Sequence, residues 1–289
     1  MASTVAALKA NDYKSEIKPI WCPGCGHFGV LNGVTNTFAD LGVDYNNTVV
    51  VSGIGCSSRF PFFLNSYGVH TAHGRALPVA TGVKLANPSL NVLVVSGDGD
   101  CFSIGGGHVP HVARKNIDIT CIMMNNRIYG LTKGQLSPTS TFGHVTNTSP
   151  YGSPDEPINP LLYMLAYGAS FVARGFSGNP KQVKSLITAA MNHVGFSFVE
   201  IISPCPTFNK IDTADSFRDM MIDIPESHDS TDRLKAIDLT IKENDGELYA
   251  GIYYQVERTP YTEQLQNIKK KAGGQDKSDF EAIIDTFKP

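Results

Sequence analysis

The chain has 289 residues, 42% of them apolar, and a formal net charge of −3 at pH 7. This length fits one large α/β domain, with or without an appendage, and the apolar content supplies a sizeable core. No charge run or basic stripe indicates a nucleic-acid partner, and no apolar stretch reaches the roughly 18 residues of a membrane span. The N-terminal sequence has no long apolar signal core, so we expect a cytoplasmic protein without nucleic-acid or membrane partners.

Short apolar runs alternate with helical patterns along the first two thirds of the chain. The runs are rich in β-branched residues and nearly continuous, which is typical of parallel strands buried on both faces. The predicted strands are Thr48–Ser52, Asn91–Ser96, Asp118–Met124 and Phe196–Ile202. The predicted helices are Phe28–Leu41, Leu77–Ala86, Gly107–Lys115 and Asn179–His193. This alternation predicts an α/β fold, a parallel sheet with helices on both faces.

The last of these helices carries the most complete set of signals. Asn179 suits the N-cap position and Pro180 suits the first helical position. The apolar residues that follow share one face, which we expect to pack on the sheet. They are Val183, Leu186, Ile187, Ala190 and Met191.

The segment from residue 137 to residue 160 differs from the rest, with five prolines and no periodicity. Loops of this length inside a domain are usually functional or disordered, and we expect this one to cover the site.

The pattern weakens after Pro206, where we predict a strand over Leu248–Gln255 and helices over Thr262–Lys271 and Ser278–Phe287. We therefore divide the chain into an α/β domain, residues 1–210, and a C-terminal extension. The extension, residues 211–289, is expected to pack on the core or on a partner subunit.

Four chemically distinctive residues, Cys56, Asp98, Asn126 and Cys205, each follow the end of a predicted strand. In open α/β sheets, ligands bind at the edge formed by the carboxyl ends of the strands. We therefore expect these residues to meet at one site.

Asp98, in a Gly-Asp-Gly turn, and Asn126, after the next strand, offer oxygen ligands for a divalent cation on a diphosphate. The backbone carbonyl of Ile128 is a natural third ligand. A helix predicted to begin near Gly105 would present free N–H groups to phosphate oxygens. The alternative is structural: Asp98 makes an Asx turn, and Asn125 and Asn126 cap a loop.

The six cysteines include one Cys-x-x-Cys pair, Cys22 and Cys25, whereas zinc sites commonly use two such pairs. Together with Cys56 and Cys205 they form a candidate set of four thiolates from three segments. Such a set suits a [4Fe–4S] cluster or a structural zinc. The glycine-rich backbone around these cysteines offers N–H donors to cluster sulfurs and favours the cluster. A third alternative, that the cysteines bind no metal, stays open.

The two other cysteines and three histidines have less distinctive settings. Cys101 and Cys121 are interpreted as structural. His27 either orients cofactor or substrate or binds zinc, and we favour the first. His108 and His111 share a predicted helix. We interpret His111 as a packing or capping residue, and for His108 a position near the active edge is an alternative.

Six motifs occur in one order: CPGCGH, GIGCSSR, HGRALPVATGVKLANP, GDGDCFSIGGGH, NNRIYGLTKGQLSPTS and SPCP. Over about residues 15–210 they closely resemble the β subunits of 2-oxoacid:ferredoxin oxidoreductases. The YGLTKGQ wording looks most like the 2-oxoglutarate branch. The resemblance implies the diphosphate-binding type of the thiamine-diphosphate-binding fold.

The resemblance also implies cofactors: thiamine diphosphate, Mg²⁺ on Asp98, Asn126 and Ile128, and one [4Fe–4S] cluster on the four cysteines. It implies catalytic roles for His73, Arg59 and His27. The implied cofactor-binding residues are Gly26, Ser57, Gly74, Gly97, Gly99, Asp100, Asn125, Tyr129, Gly130, Leu131 and Thr132.

The implied reaction is the reversible, coenzyme A-dependent oxidative decarboxylation of a 2-oxoacid, with electrons passed to ferredoxin. In this class a glutamate from a second domain activates thiamine diphosphate, and we find only one α/β unit in this sequence. We therefore expect an α subunit to supply the glutamate, in an α₂β₂ heterotetramer. Arg59 could grip the distal carboxylate of 2-oxoglutarate, or form a structural ion pair with a partner. Leu131 and Lys133 are further candidates for that pocket, and Lys133 could instead contact coenzyme A or phosphate.

Three alternatives stay open at this stage. The first is the same chemistry on pyruvate or branched-chain 2-oxoacids. The second is a non-redox thiamine-diphosphate enzyme subunit with a structural zinc, and the third is an electron-transfer or scaffold protein.

Overall fold

A computed structural model describes residues 8–243, 246–272 and 284–288. The strands of its sheet are β1 (Thr48–Ser52), β2 (Tyr67–His70), β3 (Asn91–Gly97), β4 (Thr120–Asn125), β5 (Phe171–Phe176), β6 (Ser197–Ile202), β7 (Met221–Asp223) and β8 (Leu248–Gln255). Within the described residues they form one sheet in the order β2-β1-β3-β4-β6-β5-β8-β7. Neighbouring strands are parallel except for β5 and β8, which are antiparallel.

The helices lie mainly between the strands. They are α1 (His27–Leu41), α2 (Ala76–Ala86), α3 (Asp98–Phe102), α4 (Val109–Lys115), α5 (Pro160–Ala166), α6 (Pro180–Asn192), α7 (Ala214–Met220), α8 (Arg233–Lys242) and α9 (Tyr261–Lys271). A 3₁₀ helix spans Ser57–Phe63. Among the described residues, no helix is long and apolar enough to cross a membrane.

The sheet separates two apolar cores, because successive side chains of a strand point to opposite faces. In β3, Leu93 and Val95 enter the core under α1 and α6. Val92 and Val94 enter the core that contains residues of α2, α4, α5 and α8. The predicted α/β sheet with helices on both faces is confirmed.

Helix α6 shows why the sequence folds locally as predicted. The Asn179 side chain caps it by accepting a hydrogen bond from the Gln182 backbone N–H at 3.3 Å, and Pro180 is the first helical residue. Its predicted inner face is buried at Val183, Leu186, Ile187 and Ala190, with Met191 partly buried at the margin of the same core.

Several elements differ from the prediction. The strands β2, β5 and β7 and the helices α5, α7 and α8 carry no clear periodicity and were not predicted. A helix already begins at Asp98, whereas the glycines at 105–107 lie in a turn before α4.

The residues after 210 are not a separate layer, since β8 joins the main sheet beside β5. The domain boundary at residue 210 stays a prediction. The strand predicted over Leu248–Gln255 is confirmed, and α9 lies where a helix was predicted over Thr262–Lys271. Most of the helix predicted over Ser278–Phe287 lies outside the described residues.

Candidate active site

A cleft of about 410 Å³ opens at the carboxyl ends of β1, β3 and β4. It brings together most of the residues selected from the sequence: His27, Cys56, Ser57, His73, Gly97, Asp98, Gly99, Asp100, Asn126, Ile128, Tyr129, Gly130, Leu131 and Thr132. It also includes four residues that sequence reasoning missed: Ile54, Gly55, Met124 and Gln135. Ile54 and Gly55 adjoin Cys56, and Met124 ends an apolar run, so proximity to the motifs was their only signal.

The Asp98 carboxylate lies at the floor of this cleft and is 2% exposed. Its Oδ2 atom accepts a hydrogen bond from the Thr139 hydroxyl at 2.7 Å. Burial raises the pKa of Asp98, and hydrogen bonds from Ser137 and Thr139 lower it. The carboxylate is therefore held in one orientation by the loop that follows β4.

The turn after β4 places Asn126 and Ile128 beside Asp98. The Asn126 side-chain oxygen accepts the Ile128 backbone N–H at 3.1 Å, so it does cap a loop, as the structural alternative proposed. An amide oxygen has two acceptor sites, which leaves capacity for a cation. The backbone carbonyl of Asn126 accepts the Asn209 side-chain amide at 3.0 Å, which anchors the turn.

Asn125 does not line the cleft and faces a second cavity instead. Its amide nitrogen donates to Glu200 Oε1 at 2.7 Å, and its oxygen accepts from the Arg127 backbone N–H at 3.0 Å. The side-chain amide of Asn125 is therefore engaged outside the cleft, and a contact between Asn125 and the cofactor stays a prediction.

The Asp100 carboxylate connects the loop after β1 with the turn around His73. It accepts hydrogen bonds from Ile54 N at 2.9 Å, Gly74 N at 2.7 Å and Ser96 Oγ at 2.7 Å, and pairs with His73 Nδ1 at 2.7 Å. Asp100 thus positions His73 at the cleft, while Gly74 itself lies outside the lining.

Parts of the cleft wall have no room for a side chain. A Cβ atom on Gly99 would lie 2.3 Å from the Tyr129 ring, and one on Gly97 would lie 2.9 Å from Ser57 Oγ. The Tyr129 hydroxyl donates to the Gly99 carbonyl at 3.1 Å. Backbone surface beside a buried carboxylate and an amide oxygen fits a diphosphate with its metal.

Three chain segments bring the four candidate cluster cysteines together. Gly26 lies outside the cleft lining, and its N–H donates to the Pro204 carbonyl at 3.1 Å, which joins the Cys-x-x-Cys loop to the segment of Cys205. The Trp21 indole N–H donates to the Cys56 carbonyl at 2.7 Å. A Cβ atom on Gly130 would lie 3.5 Å from Cys56 Sγ and 3.6 Å from Cys205 Sγ.

The four thiols also influence one another electrostatically. The pKa of Cys25 is raised to about 12, mainly by burial and to a smaller extent by Cys205, Cys56 and Cys22, against a backbone hydrogen bond that lowers it. Only Cys56 of the four lines the cleft. In the described parts of the chain, no three His, Cys, Asp or Glu side chains are placed to hold a single metal ion.

The other two cysteines lie elsewhere. Cys101 and Cys121 are buried, and their thiols interact with each other. This placement agrees with the structural interpretation.

His27 is 1% exposed and reaches the cleft from the start of α1. Its Nδ1 atom pairs with Ser203 Oγ at 2.7 Å, and its ring packs edge-on against Trp21. Burial lowers the pKa of His27 to about 4, so the imidazole is neutral near pH 7. By contrast, His108 and His111 line a separate surface cavity, and His108 is not among the residues that line the cleft.

Arg59 is exposed on the 3₁₀ helix and does not line the cleft. Burial raises the pKa of Cys56, as do Cys205 and Cys22, whereas the Arg59 charge lowers it. Arg59 therefore lies on the cysteine side of the site. Leu131 and Thr132 line the cleft mouth, where Thr132 pairs with Gln135, but Lys133 is not among the lining residues.

The chain matches two family models in succession. Residues 53–201 match the model described as "Thiamine pyrophosphate enzyme, C-terminal TPP binding domain", and residues 205–270 match a model of the C-terminal part of the pyruvate ferredoxin oxidoreductase β subunit. The chain is 41% identical over 273 residues to the 2-oxoglutarate synthase subunit KorB of Methanothermobacter marburgensis, covering 92% of this chain and 95% of that protein. The chain belongs to the β-subunit family of the 2-oxoacid:ferredoxin oxidoreductases.

Two further relatives agree with this family. A solved structure of the 2-oxoglutarate:ferredoxin oxidoreductase from Magnetococcus marinus, with 2-oxoglutarate, coenzyme A and succinyl-CoA bound, has a chain that superposes with a TM-score of 0.94. It is 51% identical, and the match covers 99% of this chain and 98% of that one. The 2-oxoglutarate oxidoreductase subunit KorB of Mycobacterium tuberculosis is 49% identical over 201 residues, which is 70% of this chain and 54% of that protein.

Proposed function

We propose that this chain is the β subunit of a coenzyme A-dependent 2-oxoglutarate:ferredoxin oxidoreductase. The reaction converts 2-oxoglutarate and coenzyme A to succinyl-CoA and CO₂ and passes two electrons to ferredoxin, reversibly. One observation carries the proposal: Asp98 and Asn126, with ligand chemistry for a metal diphosphate, share a cleft with Cys56, which lies in the four-cysteine group. The named relatives favour 2-oxoglutarate among 2-oxoacids.

In this proposal the side chains of Asp98 and Asn126 and the Ile128 carbonyl would hold Mg²⁺ on the diphosphate. Gly97, Gly99 and Gly130 place no side chain on the wall of the cleft. Bound thiamine diphosphate supplies the electron sink for decarboxylation. His73, fixed by Asp100, faces the cleft, and the neutral His27 orients the cofactor or substrate. Of the other lining residues, Ser57, Tyr129, Leu131 and Thr132 are assigned to cofactor binding.

We assign one [4Fe–4S] cluster to Cys22, Cys25, Cys56 and Cys205. The cluster provides one-electron steps between the cofactor and ferredoxin. Its four thiolates each bind a different iron, so the proposal does not require three ligands to converge on a single ion.

The chain needs a partner. Among the described residues, those that line the cleft include no glutamate, and the family model for residues 53–201 describes the thiamine-pyrophosphate-binding domain. We therefore assign the activating glutamate to an α subunit, in an α₂β₂ assembly. The soluble reactants ferredoxin and coenzyme A favour a cytoplasmic location.

The test is the 2-oxoacid profile of the complex purified anaerobically with its larger partner. We expect reduction of a low-potential dye that requires both 2-oxoglutarate and coenzyme A, while the isolated chain gives no turnover. A complex that prefers pyruvate would support the alternative substrate. Decarboxylation by the isolated chain would contradict the proposal that an α subunit supplies the activating glutamate. One zinc in place of iron would favour the non-redox alternative.

The variant Arg59→Ala tests whether Arg59 binds the distal carboxylate of 2-oxoglutarate. Because Arg59 is exposed and outside the cleft lining, we expect the variant to lower kcat/KM by the same factor for 2-oxoglutarate and for a second accepted 2-oxoacid without that carboxylate. Steady-state kinetics on both substrates provides the measurement. A loss confined to 2-oxoglutarate would show that Arg59 grips the substrate, as the sequence suggested.

A further inference from the structure

Thr139 lies in the long loop between β4 and α5 and contacts the proposed metal site. The residue is 3% exposed, and its hydroxyl oxygen lies 2.7 Å from Asp98 Oδ2 and 2.9 Å from Asn125 Oδ1. A threonine hydroxyl has one proton, so it can donate to only one of these two acceptors.

The neighbouring contacts decide which acceptor receives that proton. Asn125 donates its amide to Glu200 and accepts the Arg127 N–H on its oxygen, so the amide oxygen already has a donor. Hydrogen bonds to a carboxylate are roughly twice as strong as those between neutral groups. The Thr139 hydroxyl therefore donates to Asp98.

A buried network lies beside Thr139. The Asn125 side-chain oxygen, 2.9 Å from the Thr139 hydroxyl oxygen, is a second acceptor that receives no proton from it, whereas the Asn125 amide hydrogen-bonds to Glu200. Glu200 Oε2 accepts from Arg174 Nε at 2.6 Å. Arg174 in turn pairs with Glu243 and donates to the Tyr253 hydroxyl at 3.0 Å. Glu243 and Tyr253 belong to the C-terminal extension, so the network connects that extension to Asn125, beside Thr139.

The geometry points to Thr139 as the positioning residue for the metal ligand Asp98. This inference rests on the proposed function, since it takes Asp98 as a Mg²⁺ ligand. By holding one carboxylate oxygen, Thr139 fixes the orientation that the ion meets, and loss of such support typically weakens metal binding about 10- to 100-fold.

The experiment measures Mg²⁺ binding by isothermal titration calorimetry, using the assembled complex depleted of metal and supplied with saturating thiamine diphosphate. For Thr139→Val, which keeps the shape but lacks the donor, we expect an affinity about 10-fold or more below that of the unaltered complex. Thr139→Ser keeps the hydroxyl and should restore affinity to within about 3-fold. Thr141→Val is the matched control on the same loop and should bind normally, because Asp98 accepts its hydrogen bond from the Thr139 hydroxyl and not from Thr141.

The thermal midpoint of the metal-free complex separates positioning from folding, and we expect it to be unchanged in Thr139→Ser. If Thr139→Val does not assemble, Thr139→Cys, a weak donor, takes its place, with weakened Mg²⁺ binding expected. Normal Mg²⁺ affinity in a folded variant without the hydroxyl would overturn the inference. An unaltered complex that binds no Mg²⁺ would instead contradict the proposed function itself.

Discussion

Alanine in place of Cys56 is expected to remove the proposed iron–sulfur cluster from the assembled enzyme. The Cys56 thiol lies against the Gly130 backbone next to Cys205 and lines the cleft, so among the four proposed cluster ligands it lies nearest the proposed cofactor. A cluster of this type needs four cysteine ligands, and alanine offers none. We expect iron and sulfide to fall from about four each per chain to background, and substrate-dependent dye reduction to fall to the assay blank.

Cys121→Ala is the matched control for this prediction. Cys121 is fully buried in β4 and its thiol interacts with Cys101, away from the cleft lining. The variant should keep its iron, its visible absorbance and its electron paramagnetic resonance signal after reduction. Retention of a full cluster in Cys56→Ala, or loss of iron in both variants, would argue against the four-cysteine assignment. Thiamine diphosphate binding should persist in Cys56→Ala, because Asp98 and Asn126 are unaltered.

The sequence allowed much of this site to be predicted because its ligands follow buried strands. Cys56, Asp98 and Asn126 come directly after apolar runs, and parallel strands end at one edge of a sheet. The sequence motifs assign Asn126 to the metal and Asn125 to the cofactor. Only the folded strand end shows that Asn126 lines the cleft while Asn125 turns to Glu200, since adjacent residues of a strand point to opposite faces.

Contacts between distant loops were beyond sequence reasoning for another reason. Asp100 was expected to lie near the phosphates and does line the cleft. The sequence did not indicate that its carboxylate is engaged by Ile54, Gly74, Ser96 and His73. Thr139, in a loop without periodicity, was not selected at all. Neither role leaves a local pattern, because each depends on which loops the fold brings together.

Strand β5 was missed because a charged residue interrupts its apolar run. Arg174 lies in the middle of Phe171–Phe176, and a buried arginine argues against a central strand unless it is paired. The pairing residue is Glu200, its register neighbour on β6, with Glu243 as a second carboxylate. The compensation is visible only after the strands are aligned.

Arg174→Met is expected to destabilise the protein strongly. The Arg174 side chain is 4% exposed, and its removal leaves the buried carboxylates of Glu200 and Glu243 without their cation. Breaking a buried ion pair in this way typically costs about 3–5 kcal/mol. Since each kcal/mol shifts the midpoint of a domain of this size by about 2–4 °C, the thermal midpoint should fall by about 10 °C.

Arg218→Met is the control for that substitution, because the Arg218–Asp215 pair is exposed on α7. Exposed pairs contribute about 0–1 kcal/mol, so its thermal midpoint should stay within about 2 °C of the unaltered protein. Differential scanning fluorimetry on both variants makes the comparison. Equal midpoints would mean that the protein accommodates the Glu200 and Glu243 side chains without Arg174. The buried network would then contribute little to stability, and holding Asn125 at the end of β4 would be its main role.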